Sequence, residues 1–287
     1  MYAIVFAQSG NPFLARWDFT LGNNRASWIG VSEKGGKVEV WYQPTGGNVF
    51  EVKNVKIEGS HMSLGLSSNL SWELDAAGDK LTGTMKRGAN STPITGVRAP
   101  ELKRDPPKAW SNPEPLFNGK DLTGWEPLGD KSRNHWTVAD GLLVNTAHGT
   151  NLRTTRKFDD FKVHYEVNCP EKGNSGFYLR GRYEVQIEYE PLSDNPPERR
   201  IGSIYGRIAP QPELARAPGQ WEAFDVTLVG RTVTVAHNGT TVIDRKEIEG
   251  ITGGALDANE GEPGPFYIQG DHTGGLKFRN ITVSVPK

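Results

Sequence analysis

Apolar and polar residues alternate with a period of two in many short segments of the chain, and long segments with the period of a helix are absent. The clearest example is Tyr183–Tyr189, in which every second residue is apolar. The polar residues between them are Glu184, Gln186 and Glu188. This alternation predicts a strand with one buried face and one polar face. The preceding segment, Phe177–Arg180, predicts a partner strand, with a tight reversal at Gly181.

A turn is predicted ahead of this hairpin, at the residues Asn174, Ser175 and Gly176. With the hairpin in simple register, Tyr178 and Arg180 share the polar face of the first strand. Together with Glu184 and its neighbours they form a polar patch that is backed by an apolar layer. Sugar-binding concave sheets have this character, although an ordinary exposed strand alternates in the same way.

The first third of the chain contains a series of short alternating segments separated by glycine-containing turns. We predict strands at Phe13–Thr20, Ser27–Glu33, Lys37–Gln43, Phe50–Glu58, His61–Leu66, Leu70–Leu74, Lys80–Lys86 and Pro93–Val97. Such a series predicts an up-and-down meander that closes into a small barrel filled with side chains. Residues 1–99 are therefore predicted to form a small β-barrel-like domain.

Prolines interrupt the chain between residues 100 and 113, where we predict a linker between two domains. Residues 114–287 then contain a second series of alternating segments, which predicts many antiparallel strands and a two-sheet sandwich. The best defined are Trp136–Val138, Leu142–Asn145, Phe158–Cys169, Trp221–Val229, Thr232–His237, Thr241–Ile243, Phe266–Gly270 and Leu276–Val285.

Composition narrows the functional classes. The net charge of −1 gives no basic surface for nucleic acid, and no segment is long and apolar enough to predict a membrane span. Cys169 is the only cysteine, so no internal disulfide can form, and we predict a structural role for it. The apolar stretch Tyr2–Ala7 resembles the end of a signal peptide, which favours a periplasmic or secreted protein. The oligomeric state is not indicated.

Several motifs of the second domain resemble one known family when they are taken together. The motifs are Leu116-Phe117-Asn118-Gly119-Lys120-Asp121-Leu122-Thr123-Gly124-Trp125, Val138-Ala139-Asp140-Gly141-Leu142-Leu143, Gly173-Asn174-Ser175-Gly176-Phe177-Tyr178-Leu179-Arg180, Tyr183-Glu184-Val185-Gln186-Ile187, Ile204-Tyr205-Gly206 and Lys277-Phe278-Arg279-Asn280-Ile281. They resemble the bacterial 3-keto-disaccharide hydrolase, or 3-keto-glycoside lyase/hydratase, family. The resemblance implies a concanavalin A-like jelly roll over residues 114–287 and a small saccharide as substrate. The predicted fold class is accordingly all-β, with a barrel-like domain followed by a jelly roll.

The strand Glu184-Val185-Gln186-Ile187-Glu188 is also similar to the Glu-x-Asp-x-Glu strand of jelly-roll glucanases. In a regular strand, Glu184 and Glu188 lie about 13 Å apart at Cα. That separation suits neither a retaining pair of carboxylates, at about 5 Å, nor an inverting pair, at about 6.5–9.5 Å. A 3-keto sugar needs only one base, because the ketone acidifies the C2 proton. We assign Glu184 as this base, Arg180 as the enolate stabiliser and His272 as the leaving-group acid.

Most of the further candidates for substrate binding lie near these three groups in the strands and loops. The candidates are Tyr178, Gln186, Glu188, Tyr205, Arg207, Asn174, Asp271 and Trp221. Trp221 is a candidate because its ring could stack on a pyranose, although a Trp at the start of a strand is more often part of the core. Asp271 could orient His272 or ligate a divalent cation; no other cofactor is indicated and no metal ligand is assigned. His164 and Glu166 share one strand face, for which a polar sheet surface is the simpler explanation.

Two other functions are compatible with the same residues. A carbohydrate-binding protein without catalysis predicts shallow aromatic side chains and no perturbed carboxylate. A conventional glycoside hydrolase predicts a pair of carboxylates. The 3-keto-glycoside enzyme predicts that Glu184 is buried at the floor of a cleft, beside Arg180 and near Tyr205 and the His272 loop.

Overall fold

The computed structural model describes residues 10–287, so the predicted export signal at Tyr2–Ala7 lies outside the described residues. The first domain is one nine-stranded antiparallel sheet in the order β4-β3-β2-β1-β9-β8-β7-β6-β5. Its strands are β1 Ala15–Leu21, β2 Arg25–Lys34, β3 Lys37–Gln43, β4 Phe50–Glu51, β5 Asn54–Glu58, β6 His61–Ser67, β7 Leu70–Ala77, β8 Lys80–Arg87 and β9 Asn90–Arg98. The sheet is curled, and β1 pairs with β9 near its middle, but the edge strands β4 and β5 do not pair with each other. The first domain is therefore barrel-like, as predicted, but strand pairing does not complete the predicted closure.

The predicted single strand Phe50–Glu58 is wrong, because the structure divides it into β4 and β5. Between them, Val52 turns into the core and donates its backbone N–H to the Val40 carbonyl at 2.7 Å. The interior of the curled sheet is filled, as predicted, by a cluster that includes Trp17, Phe19, Met62 and Trp72. All four side chains are fully buried.

The second domain consists of two facing antiparallel sheets. Its strands are β10 Glu114–Pro115, β11 Trp125–Pro127, β12 Trp136–Ala139, β13 Leu142–Asn145, β14 Leu152–Thr154, β15 Phe161–Asn168, β16 Asn174–Leu179, β17 Tyr183–Glu188, β18 Trp221–Val229, β19 Thr232–His237, β20 Thr240–Glu247, β21 Tyr267–Ile268 and β22 Lys277–Ser284. One sheet has the order β12-β13-β22-β15-β18-β19-β20, with β10 also paired to β22, and the other has the order β11-β14-β21-β16-β17. This arrangement confirms the predicted all-β jelly roll.

Aromatic side chains fill the space between the two sheets. Tyr165 of β15 stacks on Phe177 of β16 with ring centroids 4.2 Å apart, and on Phe224 of β18 at 5.1 Å. These residues face inward because alternate residues of each strand point to the same side. Within residues 10–287, helix is limited to four single-turn 3₁₀ segments, and no helix there could cross a membrane. The four segments are Gly22–Asn24, Lys131–Arg133, Leu192–Asp194 and Pro197–Arg199.

The two domains contact each other directly. Ala26 and Trp28 of β2 point away from the barrel and join the apolar core of the second domain. Residues 100–113 lie along the second domain, where the Leu102 carbonyl accepts from the Arg231 N–H at 3.2 Å and Arg104 binds Asp159 at 2.7 Å. The division into independently folding units, with residues 100–113 as a linker, stays a prediction.

Candidate active site

The hairpin of β16 and β17 forms the floor of a cleft. Its register places Tyr178 opposite Glu184 and Gly176 opposite Gln186. The reversal occurs at Arg180 and Gly181, with φ values of 52° and 69°, so it is a left-handed two-residue turn. Because side chains alternate, Phe177 and Val185 enter the apolar core while Tyr178 and Glu184 face the cleft.

The turn predicted at Asn174, Ser175 and Gly176 is wrong. Asn174, Ser175 and Gly176 belong to β16 and pair with residues of β17. The chain reverses earlier, where the Gly173 N–H donates to the Pro170 carbonyl at 2.9 Å. The longer strand brings Gly176 beneath the side chain of Glu184.

The cleft has a volume of about 380 Å³. Its lining residues are Thr45, Gly46, Gly47, Asn151, Asn174, Tyr178, Glu184, Gln186, Tyr205, Gly253, Gly254, Tyr267, Gln269, Asp271 and His272. Seven of the eleven residues assigned from the sequence therefore lie in this one cleft. A volume of this size is within the range of small-molecule sites, about 300–1,000 Å³.

Glu184 is the most perturbed acid of the cleft. Its side chain is buried, with 3% exposure, and burial raises its pKa to about 8. A hydrogen bond from Tyr178, whose hydroxyl lies 2.8 Å from Glu184 Oε2, opposes this rise, and the charge of Asp271 adds to it. The Tyr178 hydroxyl also lies 2.7 Å from the Gly253 carbonyl and accepts from Gln269 Nε2 at 2.9 Å.

A glycine makes room for this carboxylate. A Cβ atom at Gly176 would lie 2.1 Å from Glu184 Oε1 and 2.7 Å from its Cδ, which is closer than real Cβ contacts allow. Any side chain at this position would push the carboxylate out of its place. The predicted turn at Gly176 did not indicate this role; within a strand, an isolated glycine often marks a close approach.

Tyr205 forms a second side of the cleft. Its backbone N–H donates to the Glu184 carbonyl at 3.0 Å, which also covers the free edge of β17. The Asn48 amide donates to the Tyr205 hydroxyl at 2.9 Å and accepts from Arg199 Nε at 2.7 Å. Burial, together with the charge of Glu184, raises the pKa of Tyr205.

Asp271 and His272 form the rim on another side. His272 Nδ1 lies 3.0 Å from Asp271 Oδ1, and this hydrogen bond raises the pKa of His272. Burial tends to raise the pKa of Asp271, but the hydrogen bond and charge of His272 outweigh it and lower the pKa. The His272 side chain is 44% exposed, so it can meet both substrate and solvent. Asn174 approaches the same rim, where its backbone N–H is held by the Thr273 hydroxyl at 2.8 Å.

Arg180 does not lie beside Glu184, and this correction has a geometric cause. Arg180 occupies the turn and not the strand, so its side chain leaves the cleft face. The guanidinium is fully buried on the other side of the sheet, 3.1 Å from Asp159 and 2.6 Å from the Gly230 carbonyl. It also lies 5.4 Å from the centre of the Tyr183 ring, and all of these contacts are with groups outside the cleft.

Glu188, Arg207 and Trp221 are also outside the cleft. Glu188 is buried and accepts the Glu190 N–H at 2.6 Å; burial raises its pKa. Trp221 lies on β18 in the other sheet, where Arg279 stacks on its ring at 4.0 Å. Arg207 reaches the Ile251 carbonyl at 2.6 Å. The assignment of these three side chains to substrate binding is therefore not supported by their positions.

A larger groove of about 1480 Å³ runs between the domains and is lined in part by Arg207 and Trp28. Arg207 stacks on the Trp28 ring at 4.3 Å, so the two side chains form part of the domain contact. The groove contains none of the cleft acids Glu184 and Asp271. The smaller cleft is therefore the candidate active site.

Cleft residues missed from the sequence come from distant segments. Gln269 precedes the assigned Asp271 and completes the Tyr178 network, and Tyr267 stacks on Tyr178 at 3.9 Å. The short spacing between Gln269 and Asp271 was an available signal. Residues 45–47 belong to the first domain, and no local pattern indicates that they reach this cleft.

The described part of the chain has no cluster of side chains that could bind a metal ion. Within residues 10–287, no group of three or more His, Cys, Asp or Glu side chains is arranged to hold an ion. His164 pairs with Asp225 at 2.8 Å on the outer sheet surface. Cys169 is fully buried, and burial raises the pKa of its thiol to about 12, which fits a structural cysteine.

The family that matches this chain covers its second domain. A family model described as the 3-keto-alpha-glucoside-1,2-lyase-like domain matches residues 112–284. A solved structure from Parabacteroides distasonis ATCC 8503, described as a candidate glycosyl hydrolase, is 28% identical with a TM-score of 0.52, over 65% of this chain and 94% of that chain. A second protein of that description and organism is 21% identical with a TM-score of 0.51, over 61% and 94%, which is a likeness of fold alone. Curated proteins give no match.

Proposed function

The chain belongs to the family of 3-keto-alpha-glucoside-1,2-lyase-like domains, and from this premise we propose that it cleaves glycosides of 3-keto sugars. The base is Glu184, which removes the proton at C2 of the keto sugar. The observation that carries the proposal is the buried Glu184 carboxylate, with a pKa raised to about 8, on the floor of a saccharide-sized cleft. A general base works best when its pKa lies near the operating pH.

Groups in the cleft can carry out each proton transfer of the proposed reaction. Glu184 takes the C2 proton, and the electrons of the C2–H bond form the enolate of the C3 ketone, with negative charge on the C3 oxygen. The C1–O bond to the aglycone then breaks as a C1–C2 double bond forms, and His272 gives a proton to the departing oxygen. Water adds back with its oxygen at C1 and a proton at C2, which makes the net reaction a hydrolysis.

Enolate stabilisation is assigned to Tyr205 in place of Arg180. The Tyr205 hydroxyl accepts from Asn48, so its own proton can be donated to a substrate. That proton is therefore available to the developing charge on the C3 oxygen. Hydrogen bonds that are positioned for such a developing charge are a large source of rate enhancement.

A conventional glycoside hydrolase is the second candidate, and one observation favours it. Asp271 contributes to the raised pKa of Glu184, while its own pKa is lowered by His272. Two carboxyl groups with pKa values pushed apart are the usual acid and base of a glycosidase. In that mechanism Glu184 acts as the acid, and an unoxidised glycoside is a substrate.

A binding protein without catalysis is less well supported, because binding does not require a buried carboxyl group with a raised pKa. The export of the protein to the periplasm or the cell exterior remains a separate proposal from the sequence.

The test uses a chemically oxidised 3-keto-disaccharide beside its unoxidised parent. We expect free monosaccharide from the keto substrate alone, and turnover that falls on the order of 10²-fold or more in Glu184→Gln. Glu188→Gln is the matched control, since Glu188 lies two pleats along the same strand but outside the cleft. Release from the parent sugar at an equal rate would favour the conventional hydrolase instead.

A further inference from the structure

The loop of residues 44–48, which joins β3 to β4, belongs to the first domain but reaches the cleft of the second. Thr45, Gly46 and Gly47 line the same cavity as Glu184 and His272. The loop lies outside the range matched by the family model, residues 112–284. The cleft is therefore built by both domains.

Close backbone contacts join this loop to the cleft wall. The Gly254 N–H donates to the Thr45 carbonyl at 3.1 Å. At Gly253, a Cβ atom would lie 2.2 Å from the Gly47 carbonyl oxygen, so only glycine permits this approach. The Gly253 carbonyl lies 2.7 Å from the hydroxyl of Tyr178, the partner of Glu184, so only Tyr178 and Gly253 separate the carboxyl group from the loop.

The loop is also fixed from the barrel side. Gln43 Nε2 donates to the carbonyls of Pro44 and Gly47, both at 2.9 Å, and the Ser27 hydroxyl donates to the Gln43 carbonyl at 2.6 Å. Gln43 and Ser27 are buried. A wall held by buried hydrogen bonds on one side and by glycine contacts on the other has a defined position.

We infer that residues 45–47 of the barrel contact the bound saccharide and limit its size. The inference rests on the proposed function for the identity of the substrate. Gly46 has free space around it: it is exposed, and a Cβ atom there would meet nothing within 4 Å. A side chain added at Gly46 therefore takes up space at the edge of the cleft without disturbing the fold.

The experiment uses Gly46→Cys in the full chain. The only natural cysteine, Cys169, is buried with a raised thiol pKa, so a thiol reagent modifies position 46 selectively. Gly22→Cys is the control, because Gly22 is exposed in the same domain, also meets nothing within 4 Å, and is not a cleft residue. The probes are the 3-keto-disaccharide and its unoxidised parent.

We expect a saturating saccharide to slow modification at position 46 several-fold and to leave position 22 unchanged. In parallel, Gly46→Trp is expected to lower kcat/KM for the 3-keto-disaccharide more than for the corresponding methyl 3-keto-glycoside. Turnover without protection at position 46, and an equal effect of Gly46→Trp on both substrates, would overturn the inference and leave the proposed function intact. Protection of position 46 without turnover would support the contact between residues 45–47 and the saccharide, and it would contradict the proposed function.

Discussion

The hydroxyl of Tyr178 lies between Glu184 Oε2, at 2.8 Å, and the carbonyl oxygen of Gly253, at 2.7 Å. A hydroxyl has one proton, so it donates to only one of them at a time. When Glu184 is ionised, Tyr178 donates to the carboxylate. When Glu184 is protonated, it donates to Tyr178, and Tyr178 is then free to donate to Gly253. The network accepts the C2 proton of a substrate without losing a hydrogen bond to Glu184.

Removal of this hydroxyl is expected to make Glu184 a weaker acid. The hydrogen bond from Tyr178 lowers the pKa of Glu184, so in Tyr178→Phe the pKa rises further above its ordinary value. Activity that needs ionised Glu184 then begins at a higher pH than in the wild type. The pH dependence of kcat/KM measures this shift. Tyr267→Phe is the control, since the Tyr267 hydroxyl donates to Gly254; an equal shift in both variants would contradict the assignment.

The raised pKa of Glu184 is expected to make the free energy of unfolding depend on pH. The folded protein retains the Glu184 proton up to about pH 8, whereas the unfolded chain releases it near 4.5, so stability falls as pH rises through this window. At about 1.4 kcal/mol for each pH unit, the window corresponds to at most roughly 5 kcal/mol. Glu184→Gln removes this loss. Denaturant unfolding should therefore show that the variant gains stability relative to wild type between pH 5 and pH 9.

The buried Asp18, whose pKa is raised to about 9 by burial and by Glu260, titrates in both proteins and cancels in that comparison. A constant difference between wild type and Glu184→Gln from pH 5 to pH 9 would show that Glu184 has an ordinary pKa.

Gly176 tests whether the position of the carboxylate matters. In Gly176→Ala the new Cβ displaces Glu184, so we expect lower stability and a rate loss near that of Glu184→Gln. The effect should be coupled: in a Glu184→Ala background, the same change at Gly176 should cost much less stability. Unfolding free energies of the two single variants and the double variant measure the coupling. Additive costs would mean that the two residues do not compete for space.

Arg180 is expected to act on stability alone. The Arg180 guanidinium is buried, but its partner Asp159 is 40% exposed and also binds Arg104, so removal of Arg180 leaves no buried charge unpaired. The expected cost is that of the lost hydrogen bonds of Arg180, about 1–3 kcal/mol. Arg180→Met should therefore lower the free energy of unfolding, while the folded fraction keeps its kcat and its pH profile. A variant that is folded by circular dichroism but has lost its turnover would return Arg180 to the mechanism.

Local patterns predicted much of this molecule because they report local physics. The alternation in Tyr183–Tyr189 identifies both the core face and the face that carries Glu184. The same alternation failed for Arg180, since one residue of turn in place of strand reverses the direction of a side chain. The partners of Tyr178 at Gly253 and Gln269 lie 75 and 91 residues away, and only tertiary packing places them. Likewise, no period in the first domain indicates that Gly46 meets the second.

The exchange of the C2 hydrogen tests the central claim most directly. The 3-keto-disaccharide is turned over in deuterated water, and deuterium at C2 of the product and of recovered substrate is measured by NMR or mass spectrometry. The enzyme-free sugar and Glu184→Gln provide the background exchange, and Glu188→Gln should behave as wild type. We expect one deuterium at C2 in step with turnover, and only background exchange in Glu184→Gln. Normal turnover with C2 unlabelled would contradict proton abstraction by Glu184.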